Sequence, residues 1–179
     1  MSKNIVLLSG SPRKGGNTDL LSAAFVEGAE SAGKSVTTFR VADMKIAGCL
    51  GCRQCVEAKG VCVQKDDMPP ILDALQKADA FVMDSPVYFF GVTAQLKLAI
   101  DRTYALLRVE RPIKRAAILL TCGNPSAEVA NGAIEMYHRM CGYSKWEEAG
   151  IIVATGLHQP GAINGRDELE KARELGRTI

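Results

Sequence analysis

Short apolar runs alternate with longer helical patterns from one end of this chain to the other, and that alternation limits its fold more than any single motif. The runs predict strands over Asn4–Ser9, Ser35–Val41, Ala80–Ser85, Ala116–Thr121 and Gly150–Thr155. None shows the apolar/polar alternation of a half-exposed strand, so all read as parallel strands buried on both faces. A first helix is expected from near Thr18, with Leu20, Leu21, Ala24, Phe25 and Gly28 on one face, stopping at Gly33. A second runs from about Asp67 to Ala78, with Pro69 in its first turn, where a missing N–H costs nothing. Others fit Thr93–Leu107, Glu128–Met140 and Asp167–Arg177. The expected product is an α/β sandwich of three layers around a five-stranded parallel sheet in the order 2-1-3-4-5.

With 179 residues and 47% apolar content, residues 1–179 suit one domain with a substantial core. A net charge of +2 creates no strong field toward nucleic acid or an acidic membrane, so a small-molecule partner is expected. The N-terminal apolar run is too short for a secretory signal, and no stretch approaches the ~18 apolar residues of a membrane span. A cytoplasmic location is therefore expected, and the six cysteines read as thiols, metal ligands or redox groups rather than disulfides.

The loop Gly10-Ser11-Pro12-Arg13-Lys14-Gly15-Gly16-Asn17-Thr18 joins the first strand to a helix N-terminus, where unpaired N–H groups and the helix dipole favour an anion. Ser9, Ser11, Asn17 and Thr18 add donors, and Gly15 and Gly16 permit close backbone approach, so a phosphate fits. The string is neither G-x-G-x-x-G nor a P-loop, since Gly16 stands where a P-loop has lysine. A tight turn with a capped helix is the plainer alternative. After the third strand, Ser85-Pro86-Val87-Tyr88-Phe89-Phe90-Gly91 sets three aromatics where open α/β sheets bind ligands. Beside a phosphate site they suit a planar heteroaromatic ring, although aromatics also plug core ends and interfaces.

Cys49, Cys52 and Cys55 have C-x2-C-x2-C spacing, and Cys62 follows six residues later, within a stretch from Met44 to Lys65 that is long for a connection. Successive two-residue gaps wrap three thiolates around a small loop, as at three corners of a [4Fe-4S] cube, with Cys62 for the fourth. Lys45, Arg53, Lys59 and Lys65 would favour thiolates. Structural zinc, a bare C-R-Q-C redox pair and four free thiols stay open, because the last gap departs from the bacterial ferredoxin run. Cys122 and Cys141 read as packing residues, and His138 and His158 as structural or solvent-facing. Asp66 and Asp67 fit helix capping better than a paired-carboxylate site.

GSPRKGGNT and PVYFFGVTAQLKLAIDR together resemble the NAD(P)H-dependent FMN reductase branch of the flavodoxin-like superfamily, and CLGCRQC with Cys62 and Asp66-Asp67-Met68 resembles its iron–sulfur flavoprotein group. The resemblance implies that Ser9, Ser11, Arg13, Asn17 and Thr18 bind the FMN phosphate. It implies that Pro86, Val87, Tyr88 and Phe89 line the flavin ring, with Thr121 and Gly123 completing the site. No catalytic side chain is needed, because flavin accepts hydride directly. Two functions follow as expectations: reduction of a small acceptor by NAD(P)H through FMN, or one-electron exchange with a ferredoxin-like protein through a cluster on Cys49, Cys52, Cys55 and Cys62. A homodimer or homotetramer is also expected.

Overall fold

Five strands pair in parallel in the order β2-β1-β3-β4-β5 in the computed structural model, which describes residues 3–107 and 113–179. They are β1 (Asn4–Ser9), β2 (Ser35–Arg40), β3 (Ala80–Pro86), β4 (Arg115–Thr121) and β5 (Glu147–Ala154). The helices are α1 (Asn17–Ser31), α2 (Gln54–Glu57), α3 (Pro69–Leu75), α4 (Ala94–Arg102), α5 (Asn131–Ser144) and α6 (Asp167–Thr178). The flavodoxin-like order expected from the sequence is present. The helix expected over Thr93–Leu107 is α4 with a 3-10 turn at Thr103–Leu106, and α2 is an additional single turn inside the cysteine stretch.

Side-chain alternation divides the core in two. Val6, Leu8, Phe81, Met83, Ile118 and Leu120 face α3, α4 and α5, whereas Ile5, Leu7, Val82 and Leu119 face α1 and α6. Gly28 of α1 and Gly176 of α6 let those two helices touch backbone to backbone, since a Cβ on either would run into the facing chain. The inner strands are buried on both faces, but β2 and β5 are not: Ser35, Thr37, Thr38, Glu147 and Glu148 are exposed. An edge strand has one neighbour and only partial helix cover, so polar residues suffice there. Among the described residues no helix is long and apolar enough to cross a membrane.

One buried group runs against this apolar pattern. Asp84 of β3 is fully buried opposite Ser9 of β1, on the face covered by α1. The Ser9 and Ser22 hydroxyls lie near it, yet neither carboxyl oxygen has a well-directed hydrogen bond among the described residues. Burial pushes its pKa well above the carboxylate range, with Asp19 adding repulsion. A folded pKa raised above the unfolded value removes stability as pH rises through the unfolded pKa near ~4. Asp84→Asn is therefore expected to stabilise the fold at pH 7, because the amide carries no charge to desolvate. Urea titrations at pH 7 and pH 3.5 test this, with the gain expected to vanish at the lower pH.

Candidate active site

The connections that leave β1, β3, β4 and β5 at their C-terminal ends enclose a cavity of 260 Å³, at the position where open α/β sheets bind ligands. Ser11, Arg13, Asn17 and Thr18 line it from the β1 side, Pro86, Val87 and Tyr88 from the β3 side, and Thr121 and Gly123 from the β4 side. A larger groove of 990 Å³ lies between α4 and α5, and none of the loops that follow β1, β3 and β4 lines it. The first turn of α1 opens toward the smaller cavity behind Gly16, which is extended and supplies no side-chain cap. Its leading N–H groups thus point at the space where an anion would sit.

Neighbouring side chains keep that space receptive to negative charge. Asp19 would repel a phosphate from the first turn, but its carboxylate is held by Arg40 at 2.7 Å and by the Gly15 N–H at 2.8 Å. That hydrogen bond to Asp19 raises the Arg40 pKa. The Ser11 hydroxyl accepts from the Arg13 N–H and shapes the turn. The Thr18 and Thr121 hydroxyls meet at 2.7 Å, joining the β1 and β4 sides. Asn17 lines the cavity, and both ends of its amide are also engaged within the protein: Nδ2 donates to the Gln159 carbonyl and Oδ1 accepts from the Ile163 N–H. Its side chain moors the loop after β5, which brings Leu157 and His158 to the cavity.

Two expected site residues lie elsewhere. Ser9 faces the α1 side of the sheet beside Asp84, because strand alternation turns it away from the cavity. Phe89 is 97% exposed at the tip of a tight turn and does not line the cavity. Tyr88 and Gly91 exchange backbone hydrogen bonds at 2.9 and 3.1 Å, and the residues between them, Phe89 and Phe90, both take positive φ, +47° and +69°. Asn-Gly is the usual pair for such a turn, and each bulky residue there costs roughly 1–2 kcal/mol. Gly16 also borders the cavity, as do Leu157, which the sequence did not single out, and Cys122 and His158, which it assigned to packing and to a structural or solvent-facing role. The glycine-rich GLHQPG after the last strand was the available signal for His158.

Residues 3–143 match the NADPH-dependent FMN reductase family. The chain belongs to that family. It is accordingly a flavoprotein oxidoreductase, and a cavity lined by hydroxyls and the first turn of α1 on one side and by Pro86, Val87 and Tyr88 on another suits the FMN of that family. An iron–sulfur flavoprotein of Archaeoglobus fulgidus is 34% identical over 95% of this chain and 76% of its own length. Another, from Methanocaldococcus jannaschii, is 31% identical over 98% of this chain and 94% of its own. In fold, the NAD(P)H:quinone oxidoreductase from Methanothermobacter marburgensis superposes with a TM-score of 0.77 at 20% identity, covering 99% of this chain and 96% of that one.

The four clustered cysteines border a second, smaller cavity. Cys49, Cys52, Cys55 and Cys62 line it without any carboxylate or histidine, a soft all-sulfur donor set. Gly51, Arg53, Lys59 and Gly60 all take positive φ and turn the chain back on itself around them. Burial raises the Cys55 thiol pKa, and Cys62, Cys52 and Cys49 raise it further, so the four sulfurs share one electrostatic environment. Among the described residues no three ligand side chains close on a single ion. A cube needs no such meeting point, because each of its irons takes one thiolate. Asp66 and Asp67 act less as helix caps than as staples. Asp67 binds the Lys45 N–H at 2.7 Å, Asp66 binds the Ala47 and Met68 N–H groups, and Arg102 grips Asp66 from α4.

Phe90→Gly is expected to raise stability by about 1 kcal/mol, because glycine takes positive φ without the steric penalty; denaturation at pH 7 reads this directly. Asn17→Ala releases the loop after β5 and is expected to weaken FMN about tenfold through the loss of two hydrogen bonds. Fluorescence titration of the apoprotein with FMN measures it.

Proposed function

We propose that the chain carries electrons from NAD(P)H through FMN to a small acceptor such as a quinone or a free flavin. The observation that carries this reading is the cavity itself, where an uncapped helix N-terminus and the Thr18–Thr121 hydroxyl pair stand opposite Tyr88. In this reading Ser11, Arg13, Thr18 and the leading amides of α1 hold the phosphate. Pro86, Val87 and Tyr88 bound the ring, and Thr121 and Gly123 close the β4 side. Bound FMN supplies the ability to accept two electrons as hydride and release them singly or together. The protein binds and orients it, with Tyr88 partly exposed at the cavity edge.

A second reading adds a [4Fe-4S] cluster on Cys49, Cys52, Cys55 and Cys62, favoured by the all-sulfur lining of their shared cavity. Such a group would supply one-electron exchange with a ferredoxin-like protein. The names of the archaeal relatives point the same way. We also read the active form as a homo-oligomer, because Leu50, Val61, Phe89 and Phe90 expose apolar surface beside the two cavities.

Protein purified without oxygen is expected to carry FMN, to oxidise NADH or NADPH in the presence of a quinone, and to contain close to four irons and four sulfides per chain. Absence of flavin, or of pyridine-nucleotide oxidation by flavin-loaded protein, overturns the first reading. Absence of iron after reconstitution overturns only the second. Light scattering at micromolar concentration tests the oligomer.

A further inference from the structure

We propose that Arg102 is the positioning residue of the cysteine cage, holding Cys62 in place and setting the charge felt by whatever the sulfurs bind. The proposal rests on the cluster reading above. Arg102 closes the C-terminal end of α4, and its side chain is 1% exposed. Nη1 donates to the Ala47 carbonyl at 2.9 Å and to Asp66 Oδ2 at 2.6 Å. Nη2 donates to Asp66 Oδ1 at 3.1 Å and to Cys62 Sγ at 3.3 Å. One planar fork thus ties the chain just before Cys49, the last cysteine of the set and the carboxylate that follows it. Lysine, a point charge on a flexible stem, offers no such geometry.

The buried position matters as much as the bonds. Arg53 lines the same cavity at the surface, where water and salt screen its charge. The Arg102 guanidinium is screened far less, and its Nε–H has no acceptor among the described residues. A positive charge and an N–H···S bond at a redox centre favour its more negative, reduced state, and both are recognised levers on cluster potential. Asp66 offsets this only in part, because its carboxylate also accepts from the Ala47 and Met68 amides, while Nη2 itself touches the sulfur.

Arg102→Lys, Arg102→Gln and the double variant Asp66→Asn with Arg102→Gln test this in full-length, FMN-loaded protein reconstituted anaerobically with iron and sulfide. Iron and sulfide content, denaturation midpoint and electrochemical midpoints of both cofactors are read. Arg102→Gln is expected to lower the cluster midpoint by about 59 mV or more, a tenfold change in a one-electron equilibrium, while the FMN midpoint stays put. Arg102→Lys is expected to keep the midpoint closer to wild type while losing cluster faster. The double variant, which leaves no stranded carboxylate, is expected to recover folding stability but not the potential. Failure of both glutamine variants to hold iron, with FMN bound and the fold intact, equally supports the holding role. An unchanged cluster midpoint and iron content in Arg102→Gln, or full recovery of potential in the double variant, overturns the proposal. If wild-type protein takes up no iron, the cluster reading falls and this proposal with it; wild-type uptake with indifferent variants sinks the proposal alone.

Discussion

The Thr93 hydroxyl donates to the Gly10 carbonyl at 2.9 Å, and the organisation of the active site depends on that contact. Gly10 begins the loop proposed to hold the FMN phosphate, and Thr93 is the N-cap of α4, so the bond locks that loop to the helix behind the Pro86–Gly91 loop. The contact is too close for a side chain at residue 10, where a Cβ would lie 2.6 Å from Thr93 Oγ1 and 2.7 Å from Leu96 Cβ. The Gly10 N–H goes to the Asp84 carbonyl at 2.8 Å and the Thr93 N–H to the Ser85 hydroxyl at 3.0 Å, extending the lock to the end of β3. Each of these groups is buried, so leaving any one unpaired would cost about 1–3 kcal/mol.

From that lock α4 runs roughly 13 Å at 1.5 Å per residue to Arg102. One helix therefore carries the contact to Gly10 at its N-terminus and borders the cysteine cavity at its C-terminus. Charge is handled the same way in both places. Asp19 is paired with Arg40 beside the Gly10–Thr18 loop, and Arg102 is paired with Asp66 beside the sulfurs. Burial alone would raise the Asp66 pKa, but Arg102 and the Ala47 and Met68 amides pull it below the ordinary carboxylate range. Asp84 has no such partner, and there burial wins.

Much of the site was legible because loops at the ends of parallel strands carry their chemistry in contiguous strings. GSPRKGGNT and PVY occupy the cavity walls as their positions after β1 and β3 require, and Thr121 and Gly123 follow β4 in the same way. Ser9 was misplaced because a one-residue step at a strand end reverses the direction of a side chain. Phe89 was misplaced because nothing in three consecutive aromatics announces a turn that normally takes Asn-Gly. Arg102 was visible as a charge on the apolar stripe of Ala99, Ala105 and Leu106, but its partners lie 36 to 55 residues away.

By itself the sequence determined the strand order, the family and the two groups of residues that carry chemistry, since all of these rest on local periodicity and contiguous motifs. Tertiary structure alone decided which members of those groups face a common space. That choice depends on long-range pairings: Thr18 with Thr121, Asn17 with the 159–163 loop, and Arg102 with Cys62. Hydrogen bonds between distant residues leave no periodic trace along the chain, because either partner is a common residue until the fold brings the other within 3 Å of it.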